Sequence, residues 1–276
     1  MAMRRISDRD NTRSAGFHTA DWGTHMPRPL QSMLISAMRN SILQRGKLRH
    51  LMTRWISGMG QPLDITFRDL KFRIAGQNNL IETGILARPS YNATEIDFLS
   101  EGMGPEAAAV DIGCNIGLYT LPLAKAGGRV VAIDANAAMI DHLNFHLVAN
   151  DLHNVSPLNL AVGAGPGRVD LRIHRDDLAI VAVQDAADGA VEMRDLLTIV
   201  TEQGLDRIDA LKIDIEGHED AALVPFFETA PEHLWPRRVV IEFLPPDDYP
   251  GAAHAMRDRG YRLMGRTRNN SMYARN

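Results

Sequence analysis

The chain has 276 residues, of which 45% are hydrophobic and 23% charged, and its formal net charge is −4. These near-average values argue against a disordered, fibrous or disulfide-dense protein. The sequence contains no apolar run long enough to span a membrane, no secretory leader, and a single cysteine, Cys114, which cannot form an internal disulfide. We therefore expect a soluble protein of the cytoplasm.

Residues 1–60 are predicted to form a flexible start followed by basic amphipathic helices. Between Trp22 and Leu63 the sequence has no acidic residue, and six cations in this stretch leave a net −10 for the rest of the chain. Those cations are Arg28, Arg39, Arg45, Lys47, Arg49 and Arg54. Apolar residues recur there at near-helical spacing. Residues 28–57 are compatible with packing on the main domain, which is the simpler interpretation, with a homodimer contact, and with peripheral contact to an anionic membrane.

Residues 61–104 are predicted to lead into the main domain. Apolar and polar residues alternate from 63 to 74, which indicates one or two short strands, and a helix is predicted over 92–100.

From residue 105 to 276, short runs of β-branched and small apolar residues alternate with helical stretches. Strands are predicted at 107–112, 129–133, 155–162, 208–213 and 239–243, and helices at 116–126, 136–150, 193–203, after Gly217 and at 252–259. This alternation predicts an α/β domain with a doubly wound parallel sheet, whose ligands bind at the carboxyl ends of the strands. Residues 163–189, rich in glycine and proline, predict an inserted hairpin or lid.

A glycine-containing turn follows the first strand of this domain. Asp111, Gly113, Asn115 and Gly117 alternate with other residues there, and glycines let a backbone turn tightly and approach a ligand. A dinucleotide fingerprint would have a third glycine, so the pattern argues against a pyrophosphate. Asp134 ends the next strand, where a carboxylate can accept both ribose hydroxyls of an adenosine group. A packing turn with an acidic helix cap is the alternative.

Four ionisable side chains crowd the end of the strand at 208–213, namely Asp214, Glu216, His218 and Glu219. Carboxylates held close together raise one another's proton affinity, which a histidine or a metal relieves, so such clusters mark functional sites. Helix N-cap carboxylates and a solvated histidine are the alternatives. Glu242 ends the next strand and is expected to face Asp214. Two such carboxylates can hold Mg²⁺, although an ordinary polar strand end has the same pattern.

The order of these motifs is similar to that of the FkbM family of S-adenosylmethionine-dependent methyltransferases, over residues 80–276. The most specific part is the string Lys212-Ile213-Asp214-Ile215-Glu216-Gly217-His218-Glu219. The resemblance implies a Rossmann-like sheet of seven strands, the last of which, at 271–274, is antiparallel. It also implies O-methylation of a hydroxyl on a sugar, glycolipid or polyketide-type acceptor. At 132–134 the chain has Ala-Ile-Asp, where the family more often has a glutamate followed by proline.

Methyl transfer to a hydroxyl needs alignment of the reactants, exclusion of water and removal of a proton. We expect His218 to be the general base, with Asp214 and Glu216 in the same catalytic group and Asp214 and Glu242 as the ligands of a Mg²⁺ ion. S-adenosylmethionine is expected on Asp111, Gly113, Asn115, Gly117 and Asp134.

The expected partner is a small-molecule or glycan acceptor rather than a nucleic acid, because the body of the chain is acidic. Two other functions remain open at this stage. One is a nicotinamide-dependent reductase on a similar sheet, and the other is a non-enzymatic protein that binds a membrane surface.

Overall fold

The computed structural model describes residues 4–5, 19–76, 79–174, 177–185, 189–242 and 249–275, and for 4–5 and 172–185 it describes the backbone alone. Most of the predicted flexible start, and Phe243 at the end of a predicted strand, lie outside these residues.

The described helices lie between and around the strands. They are α1 (Pro29–Arg39), α2 (Gly46–Gly58), α3 (Leu80–Ala87), α4 (Ala93–Ser100), α5 (Thr120–Lys125), α6 (Ala137–Ala149), α7 (Leu196–Glu202), α8 (Glu219–Thr229) and α9 (Pro250–Asp258). Short 3-10 helices lie at Ile42–Gln44 and Glu232–Leu234. Within the described residues, none of the helices has both the length and the apolar character needed to cross a membrane.

The described strands are β1 (Arg4–Arg5), β2 (Leu63–Phe67), β3 (Leu70–Ile74), β4 (Ala108–Ile112), β5 (Arg129–Ile133), β6 (Val155–Leu158), β7 (Ala161–Val162), β8 (Gly167–His174), β9 (Asp177–Asp185), β10 (Val191–Arg194), β11 (Ala210–Ile213), β12 (Arg238–Glu242), β13 (Arg262–Arg266) and β14 (Asn270–Ala274). Seven of these described strands form the central sheet, in the order β13-β14-β12-β11-β4-β5-β6. Strand β14 runs antiparallel to β12 and β13, whereas the β12-β11-β4-β5-β6 pairs are parallel. The predicted doubly wound sheet of seven strands, with an antiparallel last strand, is confirmed.

The two faces of the sheet carry separate hydrophobic clusters. Every residue of β4 and β11 is buried, as a parallel sheet covered on both faces requires. Along β4, Ala109 belongs to one cluster, and Ala108, Val110 and Ile112 belong to the other. The first cluster includes residues from α1–α6 and the second from α7–α9. Helices therefore cover both faces, and the carboxyl ends of the strands are left as the open edge.

The N-terminal helices pack on the first face. Ile35 and Met38 of α1, and Met52 and Ile56 of α2, are buried in the same cluster as the β2–β3 hairpin and α6. Gly46 lies where α2 begins, in the left-handed region with φ +53°. One stripe of each amphipathic helix is thus used for packing on the main domain.

Three sequence-based boundaries need correction. The helix predicted at 116–126 begins at Thr120, because 114–119 form turns that include positive φ values. The strand predicted at 155–162 is split, since β6 pairs with β5 whereas β7 pairs with β10 in another sheet. The helix predicted at 193–203 begins only at Leu196, after β10, where the Asp195 side chain accepts a hydrogen bond from the Thr198 amide. The hairpin predicted within 163–189 is present as β8 and β9.

Candidate active site

The turn after β4 and the turn after β11 touch each other. Gly113 has φ +76°, and a Cβ placed on it would lie 1.9 Å from the backbone oxygen of Asp214. Gly117, with φ +94°, faces Leu121 and Leu143, whose Cδ1 atoms would lie 2.3 and 2.6 Å from an added Cβ. The Asp214 backbone therefore leaves room only for glycine at 113, and the positive φ favours glycine at 117. The segments that the sequence proposed for cofactor binding and for catalysis lie side by side at the carboxyl edge of the sheet.

Asp111 lies inside this edge, at 1% exposure. Its Oδ2 accepts a hydrogen bond of 2.5 Å from Thr120 Oγ1, whereas its Oδ1 is buried and has no hydrogen-bond partner in the described residues. Burial raises the pKa of Asp111 to about 6, against the lowering effect of the Thr120 hydrogen bond. A buried carboxylate oxygen without a donor fits a ligand that brings one, such as the ammonium group of a methionine moiety.

Asp134 connects the end of β5 to the glycine turn. Its Oδ2 accepts from the Asn115 amide and its Oδ1 from the Asn136 amide, both at 2.8 Å. Burial raises the pKa of Asp134 to about 6, although the two amides lower it. Each carboxylate oxygen keeps a further lone pair, so the group can still accept hydrogen bonds from ribose hydroxyls. The residues present therefore fit an adenosyl cofactor with a methionine end.

Asn115, in the left-handed region at φ +49°, is held by a residue that the sequence analysis missed. Its Oδ1 accepts from the Ile116 amide at 2.9 Å and from Asn79 Nδ2 at 2.8 Å. Asn79 also caps α3, since its Oδ1 accepts from the Ile81 amide at 2.9 Å. Nothing in the sequence connects residues so far apart, although an asparagine just before an apolar helix predicts the cap.

Asp214, Glu216 and Glu242 come together as a carboxylate cluster. One oxygen of each lies within 4.8 Å of the other two. Burial, together with the charges of Asp214 and Glu216, raises the pKa of Glu242 to about 9. Glu242 Oε2 is buried and has no hydrogen-bond partner among the described residues. Close carboxylates with an unbonded oxygen are the donor set that a hard cation such as Mg²⁺ prefers.

Lys212 lies beneath the carboxylate cluster and was not among the predicted site residues. It is 2% exposed, its Nζ donates to the Ile213 carbonyl at 3.0 Å, and it lies 3.2 Å from Asp214 Oδ2. The same Nζ lies 5.3 Å from the centre of the Tyr119 ring. A lysine inside an apolar strand was the available signal, because a fully buried lysine needs a partner.

His218 and Glu219 differ in what they contact. Glu219 is fully buried and closes the turn, because its two oxygens accept from the Ile215 amide at 2.8 Å and the Gly217 amide at 3.0 Å. His218 is half-buried at the N-cap of α8 and is not part of the carboxylate cluster. Over the part of the chain that the structure describes, no group hydrogen-bonds to its imidazole. Glu219 therefore stabilises the turn that precedes α8, whereas the N-cap of that helix is His218.

A cavity of about 440 Å³ adjoins the cluster through Glu242. It lies between α9 and the ends of β12, β13 and β14. Its polar lining consists of Glu242, Tyr249, His254, Arg257, Arg266, Ser271 and Tyr273. Tyr249 is 8% exposed, and burial and the charge of Glu219 raise the pKa of its phenol. The cavity offers hydrogen-bonding groups of several kinds to a polar ligand.

Comparison with known proteins gives a family match over residues 111–263, to the methyltransferase FkbM domain. The chain is 27% identical over 122 residues to the 23S rRNA (uracil(1939)-C(5))-methyltransferase RlmD of Pseudomonas savastanoi pv. phaseolicola, which covers 42% of this chain and 27% of that protein. The same enzyme of Pseudomonas syringae pv. tomato is 29% identical over 108 residues, covering 37% and 24%. The chain thus spans about a quarter of the length of these curated relatives.

Two solved structures are also similar. The SAM-dependent methyltransferase from Agrobacterium tumefaciens aligns at a TM-score of 0.46 and 12% identity, over 78% of this chain and 69% of that one. TYW2 of M. jannaschii in complex with AdoMet aligns at 0.39 and 14% identity, over 79% and 89%.

The family match covers more than half of the chain and includes both turns of the site. It favours a methyltransferase over the nicotinamide-dependent reductase and the non-enzymatic protein that the sequence had left open. The chain belongs to the FkbM family of S-adenosylmethionine-dependent methyltransferases.

Proposed function

We propose that this enzyme methylates a hydroxyl of a small polar acceptor of the sugar, glycolipid or polyketide type. The supporting observation is the carboxylate cluster that shares Glu242 with a polar cavity of about 440 Å³. A cavity of this size is typical of small-molecule sites. Its mixture of carboxyl, phenol, hydroxyl and guanidinium groups suits a ligand with many hydroxyls.

The cofactor side is assigned to the turn after β4. S-adenosylmethionine supplies an electrophilic methyl group when bound. Asp134 would accept hydrogen bonds from the ribose hydroxyls, and Asp111 Oδ1 would accept one from the ammonium group. Gly113, Asn115 and Gly117 shape the turn, since all three have positive φ.

The acceptor side is assigned to the turn after β11 and to the end of β12. Without a cation, burial and the neighbouring charges raise the pKa of Glu242 to about 9, so this carboxyl can hold a proton and donate a hydrogen bond to an acceptor oxygen, whereas a bound cation would replace that proton. Asp214 and Glu216 offer carboxylate oxygens that can orient hydroxyl groups. We assign the removal of the reacting proton to His218, which lies at the start of α8 in the same turn.

A cation would bind between Asp214 and Glu242, with Glu216 as a third ligand. The fit rests on the three mutually close oxygens and on the unbonded Glu242 Oε2. When bound, Mg²⁺ would polarise the acceptor hydroxyl.

An RNA acceptor is the competing possibility, because the curated relatives are named as rRNA methyltransferases. The aligned part is 42% of this chain, and the cavity beside the carboxylate cluster is of small-molecule size. These observations favour the small acceptor, and RNA belongs in the test.

The test is transfer of labelled methyl groups from S-adenosylmethionine to a panel of glycans, glycolipids, polyketides and RNA. We expect transfer to one of the hydroxylated small molecules, lowered about a hundredfold or more by His218→Ala because general bases contribute that much. His233→Ala, at an exposed histidine in the 3-10 helix Glu232–Leu234, is the matched control. Transfer to RNA alone would contradict the proposal, and an unchanged rate in His218→Ala would remove the base assignment.

A further inference from the structure

The N-terminal helices have a second apolar stripe, which faces outward. Of the eleven exposed large hydrophobic side chains in the described residues, seven lie between residues 26 and 55, with exposures of 43–70%. They are Met26, Leu30, Met33, Ile42, Leu48, Leu51 and Trp55. We call their exposed side chains, with the exposed cations between them, the N-terminal surface. Single exposed hydrophobics are ordinary, but a concentration of this kind marks an interaction site.

The spacing shows that each helix has two apolar faces. In α2, Leu48, Leu51 and Trp55 follow one another at i, i+3 and i+7, whereas Met52 and Ile56 are buried in the core. The inward stripe already accounts for packing on the main domain. The outward stripe therefore has no role in the packing of the described fold.

Positive charge accompanies the outward stripe. Arg28, Arg45, Lys47 and Arg54 are exposed, and residues 22–63 contain no acidic side chain. Arg39 is a different case, because its guanidinium donates to the backbone oxygens of α3. The remaining cations keep their charges at the surface.

The positive region continues beyond the helices. Burial, followed by the like charges of Arg88 and Arg268, lowers the pKa of Arg49. Arg88 follows α3, and Arg268 lies in the turn between β13 and β14. Both arginines thus act on the Arg49 guanidinium, and residues 22–63 supply no acidic side chain to offset their charges.

We propose that the N-terminal surface binds the anionic face of a lipid bilayer. Leucine, methionine and tryptophan on one face of a helix, with arginine and lysine beside them, is the composition of helices that lie in the bilayer interface. Anionic headgroups attract clustered basic residues, and the apolar side chains leave water by entering the interface. The charge and the apolar stripe then act together on one partner.

Charge disfavours the other occupants. In a symmetric dimer the same patch lies on both copies, so the cations of one copy would face those of the other. A nucleic acid would neutralise the cations through its phosphates but would leave the aliphatic stripe in water. A bilayer with anionic lipids satisfies both the charges and the stripe.

The basic region around Arg49 and Arg88 shares one neighbour, Tyr91, with the candidate active site. Burial raises the pKa of Tyr91, the charge of Asp214 raises it further, and the charges of Arg88 and Arg49 lower it. The Arg88 guanidinium lies 4.8 Å from the centre of the Tyr91 ring. The Tyr91 phenol therefore interacts electrostatically with both the basic region and the carboxylate cluster. A membrane-bound enzyme would take an acceptor presented at the bilayer, a consequence that rests on the proposed function, whereas lipid binding does not.

The experiment is flotation of the full chain with vesicles of phosphatidylcholine alone and of phosphatidylcholine mixed with phosphatidylglycerol. We expect at least about tenfold stronger partitioning to the anionic vesicles, since several basic residues each contribute. Leu51→Glu/Trp55→Glu removes the apolar stripe, and Lys47→Glu/Arg54→Glu reverses charge while keeping the stripe. Both are expected to lower partitioning about tenfold or more. The matched control is Val148→Glu/Met264→Glu, which changes exposed hydrophobics outside the surface and should bind as the original chain does.

Affinity for S-adenosylhomocysteine, measured by calorimetry, shows that each variant is folded and is expected to stay unchanged. Equal flotation with neutral and anionic vesicles, or no flotation, overturns the proposal. Unchanged flotation of both Leu51→Glu/Trp55→Glu and Lys47→Glu/Arg54→Glu also overturns it. A dimer in sedimentation that dissociates in Leu51→Glu/Trp55→Glu, without vesicle binding, assigns the surface to a second copy instead. If RNA displaces the chain from vesicles at a lower concentration than vesicles displace it from RNA, the N-terminal surface is assigned to nucleic acid.

Discussion

The two turns that meet at the candidate site are held in different ways. The turn after β4 is fixed by the chain itself, because Asp134 accepts hydrogen bonds from two backbone amides and Asn115 accepts one from Asn79. The turn after β11 is closed by Glu219, but it ends beside the carboxylate cluster, where a buried Glu242 oxygen has no donor in the described residues and the charges of its neighbours disfavour ionisation. On the cofactor side a ligand has to supply a donor to Asp111 Oδ1, whereas on the acceptor side a ligand or cation has to offset a whole group of carboxylates.

The largest expected effect comes from Gly113→Ala, which attacks the contact between the two turns. The added Cβ would lie 1.9 Å from the Asp214 backbone oxygen, at a position with φ +76°. We expect the free energy of unfolding to fall by about 3 kcal/mol or more and activity to be lost, because a backbone atom must move. Chemical denaturation and methyl transfer measure the two effects.

Gly204→Ala is the matched control for that experiment. Gly204 also has positive φ, at +62°, but an added Cβ would meet nothing within 4 Å. We expect a loss of about 1 kcal/mol from backbone strain alone, with activity kept. Equal losses in the two variants would show that the contact between the turns is unimportant.

Glu242→Gln separates the two sides of the site. The amide keeps the shape of the side chain and removes a ligand for a cation and the acidic proton. We expect kcat to fall about a hundredfold, because a group that acts on the reacting oxygen is lost. The dissociation constant for S-adenosylhomocysteine should change by less than about a factor of two, because Glu242 is assigned to the acceptor side.

Glu232→Gln, at an exposed carboxylate paired with Arg275, is the control for Glu242→Gln. It should change neither quantity. If Glu242→Gln weakens cofactor binding as much as it slows transfer, the cofactor side and the acceptor side are not separate.

The pH dependence of cofactor binding tests whether the buried carboxyls serve the cofactor. Asp111 and Asp134 each have a pKa of about 6 without ligand. Hydrogen-bond donors of the cofactor favour the ionised forms of these two carboxyls. Below pH 6 the carboxyls hold protons that cofactor binding must release, so the affinity for the cofactor falls as pH falls. From pH 7.5 to 5 we expect a loss of about tenfold for one coupled group and about a hundredfold for two.

Calorimetry with S-adenosylhomocysteine at these pH values measures the slope. Asp134→Asn should bind more weakly at pH 7.5 and should lose the part of the slope that Asp134 contributes. The stability of the unliganded chain depends on pH in the opposite direction from the affinity for the cofactor. The unliganded folded chain binds more protons than the unfolded chain between pH 4 and 6, so its stability falls as pH rises through that range. An affinity that is flat down to pH 5 would contradict the assignment of both carboxyls.

Much of the architecture could be predicted from the sequence because it depends on local patterns. Runs of Val, Ile and Ala that alternate with helical stretches predicted the sheet, and the meeting of strand ends brought Asp214 and Glu242 together. The start of α5 was wrong, because the turns at 114–119 use positive φ values that apolar periodicity does not show. The position of His218 outside the carboxylate cluster was equally hidden, since Glu216 and Gly217 before it have positive φ.

The smallest expected effect tests a contact that no local pattern could show, the hydrogen bond from Asn79 to Asn115. In Asn79→Ser the hydroxyl can still cap α3, but the side chain is too short to replace the amide that reaches Asn115 Oδ1. We expect affinity for S-adenosylhomocysteine to fall about fivefold, because a net hydrogen bond is worth about 1 kcal/mol.

Asp195→Ser is the control, since it likewise keeps a hydroxyl cap, at the start of α7. The two variants should lose similar stability, and only Asn79→Ser should lose affinity. Equal affinities would mean that the turn after β4 keeps its shape without Asn79, and the cofactor side of the site would then rest on Asp134 and on the packing of Gly113 and Gly117.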